Sequence, residues 1–327
     1  MSIPPEWTLA SHLRLRGYSW FVLVADTDFM DMPRAFRAAP ALLWNNERVG
    51  TRRSTVSSMR RVWQNWWMQI AGGILIVVIV VMPWLWIGEE DRSILPLAGN
   101  DVLGLIVVSS LSALLGSWLV RRLGRGRTGF TVVTAVGIFL GMLGLGAQGI
   151  YATNPSAFGG KLTQASVTQL WVFGSLLVLS LAWYFLSAKL RLPVAALFYA
   201  TMTVSVSYWL QIVASLIAGA QSYYVYLWYA GPLILGLILG FVGFLRAINL
   251  VFWVVALAFQ WVMPAVVESS AKAIQSEAQI GPAASAFSKE FSALIVELDW
   301  QTPLIVSLAT AMLTSVVIVI VRKVRRR

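Results

Sequence analysis

Eight stretches of about 20 largely apolar residues, each bounded by polar or basic residues, decide what this chain can fold into. They lie near 67–88, 101–120, 129–151, 169–188, 193–218, 223–245, 249–267 and 303–321. In hydrocarbon every backbone N–H and C=O must be paired within the protein, and an isolated segment manages this only as a helix. The chain is therefore expected to be all-α, a polytopic transmembrane helix bundle with about eight spans. Composition points the same way. Charged residues are 12 % of the 327, hydrophobic residues are 58 %, and mean hydropathy is +0.74. A soluble domain carries roughly 25 % charged residues, so lipid must cover much of this surface.

The basic residues set the expected orientation. With the N-terminus inside, 21 of the 25 Lys and Arg fall on the cytoplasmic side, leaving Arg92, Lys161, Lys272 and Lys289 outside. Nine of the 14 acidic residues fall outside. A seven-span chain would move either 121–127 or 322–327 to the outer face and spoil this asymmetry. The expectation is eight spans with both termini inside. Residues 1–66 form a cytoplasmic and interfacial segment, 67–321 the transmembrane bundle with an outside loop at 268–302, and 322–327 a basic tail. Tyr18–Ala25 is too short for the apolar core of a signal peptide. The net charge of +11 then reads as a topological signal and an attraction to anionic lipids at the cytoplasmic face, with no need for nucleic acid. The expected location is the cell membrane, inner or plasma, as a multi-pass protein.

Two segments outside the spans carry amphipathic patterns. Between 52 and 67, Val56, Met59 and Trp63 share a helical face beside Arg60 and Arg61. Trp66 and Trp67 follow. Tryptophan with arginine favours the headgroup region, so Arg60, Arg61, Trp63, Trp66 and Trp67 are candidate interfacial anchors. In the outside loop, Ala271–Gln279 and Ala286–Leu298 read as a helix–turn–helix about Gly281-Pro282, with Phe287, Phe291, Leu294, Ile295 and Leu298 on one greasy face.

Several chemistries lack their residues. There is no cysteine, and His12 is the single histidine. Haem ligation within the spans, thiolate metal sites and Cys-based catalysis have nothing to work with. No ionisable side chain lies in the middle of a span, so a buried proton relay and a voltage-sensing arginine ladder are absent. No phosphate-binding loop is present. No catalytic residue, cofactor site or metal site is assigned.

What the spans do contain is small and neutral polar. Thr134, Gly137, Gly141, Gly144 and Gln148 form one stripe. Thr203, Ser207, Gln211 and Ser215 form another, and Gln260 lies in the seventh span. Small residues let helices approach and hydroxyls bond across them. The same residues suit an uncharged polar path, for which Gln148, Gln211, Gln260, Ser207 and Thr203 are the candidates. Pro232, after Gly231, is positioned to kink the sixth span.

The layout resembles the permease subunits of ABC exporters. Those have a basic interfacial helix before the first span, a short cytoplasmic loop after the second, and helices outside before the last. The corresponding segments here are 52–67, 121–128 and 271–298. The departure is eight spans in place of six. The function expected is transport, as a permease or channel-like subunit working with other protein subunits, and not as an enzyme. An alternative is a non-catalytic membrane component of a larger secretion, envelope or respiratory assembly. A third is a membrane enzyme acting on lipid-linked substrates through Asp26, Asp28, Asp31, Glu89, Glu90, Asp91 or Asp101.

Overall fold

The computed structural model describes residues 65–87, 102–124, 128–153, 164–217, 220–276, 280–297 and 301–325. Arg60, Arg61, Trp63 and all seven acidic residues named for lipid-linked chemistry lie outside them. The described residues form helices and connecting turns. The helices are α1 (Trp66–Ile87), α2 (Val102–Leu119), α3 (Thr128–Thr153), α4 (Gln164–Lys189), α5 (Leu192–Ser215), α6 (Tyr224–Leu227), α7 (Ala230–Val242), α8 (Ala247–Ser276), α9 (Ile280–Glu297) and α10 (Gln301–Arg325). Eight of the segments they form are long and apolar enough to cross a membrane, with α6 and α7 together making the sixth. This is the number expected, and the protein is an integral membrane protein.

The ends of the helices sort into two groups. Arg121 on α2 bonds the carbonyls of Ser187 and Leu190 at the end of α4. Lys189 reaches Thr128 at the start of α3, 2.9 Å away. α4 turns into α5 through Arg191, whose extended backbone (φ −58°, ψ 147°) is the usual conformation of the residue capping a helix start, and Pro193 follows in the first turn of α5, where its missing N–H costs nothing. α7 turns into α8 through Gly243, at φ +73°, a conformation glycine adopts without strain. There Asn249 Nδ2 donates to Val242 O and Gly243 O at 2.9 and 3.1 Å, satisfying carbonyls at the end of α7. Both links are short, so each pair of spans forms a tight antiparallel hairpin. Together these contacts gather Arg121, Lys189, Arg191 and Arg246 at one end of the bundle, called here the basic end.

α2 and α5 join the two halves of the bundle, while α9 and α10 pack outside them on α8 and α7. The bundle divides after the fourth span, and the same neighbours recur in each half. In the first, α1 packs on α2 and α3, α2 on α3 and α4, and α3 on α4. In the second, α5 packs on α7 and α8, α7 on α8 and α10, and α8 on α10. These are the same five pairings, counted span by span. The halves join through α2 on α5, α4 on α5 and α2 on α8.

Glycines set the closest approaches, as helix association in lipid requires. A Cβ on Gly137 of α3 would collide with Ile70 O on α1, and one on Gly73 would lie 2.6 Å from Thr134 O. On the other side of the bundle, a Cβ on Gly236 of α7 would lie 2.6 Å from Ser307 O of α10. Ser307 and Ser315 of α10 donate to Pro232 O and Gly240 O of α7 at 3.0 and 3.1 Å.

The sixth span is broken where proline demands it. Pro232 has no N–H to offer Trp228 O, four residues back. The Ser207 hydroxyl on α5 fills that role, donating to Trp228 O at 2.7 Å while accepting from Gly231 N at 2.9 Å. One side chain repairs both sides of the break. Ser207→Ala should therefore cost about 1 kcal/mol, read as a lower melting temperature in detergent. In a Pro232→Ala background the cost should shrink, because residue 232 again supplies an N–H. An equal cost in both backgrounds would refute this account.

The segment expected outside differs from the expected helix–turn–helix. α8 does not end near 267. It runs to Ser276 with Pro264 inside it, so the first expected helix is the end of the seventh span. A helix leaving the bilayer keeps its own hydrogen bonds, and polar residues alone do not stop it. Glu268 is accommodated by Tyr208 of α5, whose hydroxyl donates to it at 2.6 Å. α9 packs back on α8, with Lys272 and Glu290 3.4 Å apart and Phe287 stacked on Phe291.

Candidate functional site

Where the two halves meet, the helices do not fill the space between them. A cavity of about 790 Å³ lies among α2, α4, α5 and α8. The α4 and α8 walls are helical stripes with steps of three or four residues. Ile106, Ser109, Ser110 and Ala113 come from α2, and Trp171, Ser175, Leu179 and Trp183 from α4. Thr201 and Met202 come from α5, and Met263, Val267, Ser270 and Ile274 from α8. The volume exists because α2 presents two serines and an alanine there and α4 presents Ser175, while indoles and long apolar chains stand opposite.

The lining is mostly apolar, and none of the described residues forming it is ionisable. Its polar groups, apart from the indoles of Trp171 and Trp183, are hydroxyls, and these fall into two classes. Ser109 donates to Leu105 O, Ser180 to Ser109 O and Thr201 to Phe198 O, at 2.7, 2.8 and 2.7 Å. These three are spent on the helices. Ser110, Ser175 and Ser270 make no hydrogen bond within the described residues and are available to a ligand. Apolar walls with a few unspent polar groups are the usual make-up of a small-molecule site, and the volume is within the usual range.

The cavity is closed toward the basic end. One turn beyond Ala113, a Cβ on Gly116 would lie 2.5 Å from Ile138 Cδ1 and 3.1 Å from the Tyr184 ring, so α2, α3 and α4 meet with no gap. The Tyr184 hydroxyl donates to Thr131 O at 2.8 Å. The Ser117 hydroxyl lies 3.4 Å from that of Tyr199. Beyond it, α2 widens into a π-helical turn, Val120–Gly124. Such turns often sit at functional positions. This one carries Arg121, whose guanidinium holds the last carbonyls of α4. A cation at a helix C-terminus also meets the negative end of the helix dipole.

The residues expected to form a polar path lie elsewhere. Thr203 and Gln260 are buried and paired, with the Thr203 hydroxyl 3.1 Å from Gln260 Oε1 between α5 and α8. A Cβ on Gly231 would strike Thr203 O, so α7 seals that face of α5. Ser207 is committed to the proline break. Gln148 and Gln211 are half-buried, and neither lines the cavity. Trp66 and Trp67 stack at 3.7 Å at the start of α1, both exposed, as suits the headgroup level. The sequence reading missed Ser110, Ser175, Ser270 and Trp171. The available signal was the spacing of Trp171, Ser175, Leu179 and Trp183, which puts them on one face of α4.

Comparison with family models, with characterised proteins and with solved structures finds no match.

Proposed function

We propose that this integral membrane protein is a transport protein, a permease or channel-like subunit, that takes an uncharged and partly apolar molecule into the cavity among α2, α4, α5 and α8. The observation that carries the reading is the position of that cavity. It lies at the junction of two halves with the same internal packing and is sealed toward one end. Many transporters are built from internal repeats, with the substrate site at the repeat interface. A seal at the basic end is what one closed gate of a site with alternating access would supply.

The orientation proposed puts the basic end in the cytoplasm, following the distribution of Lys and Arg. The cavity then lies in the outer half of the bilayer, and the Arg121 cluster is its inner seal. The membrane is taken to be the cell membrane, and partner proteins are taken to supply the energy, since the spans offer no central titratable group.

The absence of cysteine gives a direct test. Ser270→Cys and Lys189→Cys introduce single thiols in the cavity and at the basic end. A membrane-impermeant maleimide added to intact cells should label residue 270 and not residue 189. Inverted vesicles should reverse this. Val178→Cys, which points to lipid at 68 % exposure, should resist both. Labelling of residue 270 from the inside alone would overturn the orientation. Labelling no faster than at residue 178 would overturn a solvent-reachable cavity.

A further inference from the structure

Resting on that reading, we infer that the cavity takes an uncharged amphiphile with one alkyl chain, which enters sideways from the lipid in the leaflet away from the basic end, head toward the surface and chain toward the bilayer centre. Three observations carry this.

The first is the wall. The α4 stripe includes Trp171 at 68 % exposure, Leu179 at 44 % and the exposed Ser175. The lining is therefore continuous with the outer surface of α4. A hydrophobic molecule in the bilayer can reach it without crossing water.

The second is the order of polar and apolar groups with depth. Cross-helix bonds fix the levels. Ser180 bonds Ser109 O, which sets Ser175 nearly two turns, about 9 Å, nearer the far end than Ser110. Ser117 faces Tyr199, Thr203 faces Gln260 and Tyr208 faces Glu268, which sets Ser270 at the level of Ser175. Two unspent hydroxyls and the Trp171 indole thus ring the shallow end. Ile274 and Val167 stand beside them, and Ala113, Trp183, Met202 and Met263 line the deep end with Thr201, whose hydroxyl is spent on Phe198 O, and with Ser110 one turn above Ala113. Two of the three unspent hydroxyls and an indole N–H toward the surface, with mostly apolar chains deeper, match a lipid standing in one leaflet. From Trp171 to Trp183 the α4 wall is about 18 Å long at 1.5 Å per residue, close to half of a bilayer's ~30 Å hydrocarbon core with some headgroup depth added.

The third is charge. None of the described lining residues is ionisable, and a carboxylate or phosphate drawn into this site would lose its hydration with no cation in return. The hydroxyls suit ester, hydroxyl or amide groups.

The test is equilibrium binding of a radiolabelled monoacylglycerol to the full-length protein in nanodiscs of diacyl lipid, with the lysophosphatidate of the same chain as competitor. Saturable binding is expected, with the charged analogue competing at least about tenfold more weakly. Ala113→Trp, which fills the deep end, should abolish binding. Ser175→Ala with Ser270→Ala should weaken it about tenfold through two lost hydrogen bonds, and a melting curve for each variant shows whether it is folded. Equal affinity for the charged analogue, or full binding in folded Ala113→Trp, overturns the inference. Binding without flux in proteoliposomes would leave this inference standing and remove the transport reading. Flux of small water-soluble uncharged solutes with no monoacylglycerol binding would do the opposite.

Discussion

Gly137→Leu should separate α1 from α3 and cost about 3 kcal/mol or more, at the upper end of what overpacking does. The reason lies in what meets what. A Cβ at residue 137 collides with Ile70 O and would lie 3.0 Å from Gly73 Cα. Both are backbone, so no side chain can rotate away and the helices themselves must part. In water, hydrophobic burial would offset some of that loss. In a bilayer lipid is as apolar as leucine, and close packing is what keeps these helices together. The melting temperature in detergent should fall by roughly 5–10 °C. Gly144→Leu, two turns along the same stripe, is the control. Nothing lies within 4 Å of a Cβ there, so its stability should hardly change. Equal losses at 137 and 144 would show that glycine is needed for some reason other than contact.

Arg121→Ala should open the basic end of the cavity. It removes the group that holds Ser187 O and Leu190 O to α2 and leaves both carbonyls unpaired, at about 2–3 kcal/mol. The effect expected on access is larger than that on stability. In the Ser270→Cys background the thiol should become reactive to impermeant maleimide from both faces, with the new side faster by about tenfold or more than with Arg121 in place. Arg121→Lys should restore the seal in part, since an ammonium lacks the planar fork that spans two acceptors. A thiol still labelled from one face in folded Arg121→Ala would mean that the Gly116 and Tyr184 contacts close the bundle unaided.

Much of this architecture is legible in the chain. The spans follow from apolar length, and the hairpins at Leu190-Arg191 and at Gly243–Arg246 follow from how few residues separate neighbouring spans. Gly137 and Gly141 announce a close approach, and Pro232 announces a break. The cavity is not legible in the same way. Ser110, Ser175 and Ser270 look like every other small residue in the spans, and only the helix placement shows that their hydroxyls face an unfilled space. The glutamines drew attention because an amide is the most polar group available. Polarity is also why Gln260 is consumed, since a buried amide needs a partner and finds one in Thr203. The end of α8 is not legible locally, because Glu268 marks a boundary by polarity alone and the Tyr208 hydroxyl that receives it is 60 residues away in sequence.

The recurrence of one packing scheme in the two halves bears on how such a chain can arise. Each half has four spans, so it begins and ends on the same face of the membrane. A gene for a unit of this kind can be doubled in tandem with no more than the short Leu190-Arg191 link, and neither copy has to be inserted upside down. A three- or five-span unit would need one copy reversed or an extra helix between them. In a doubled chain the ligand site comes from the joint. Each unit has only to pack well, the two can drift apart in sequence, and the hollow between them belongs to neither.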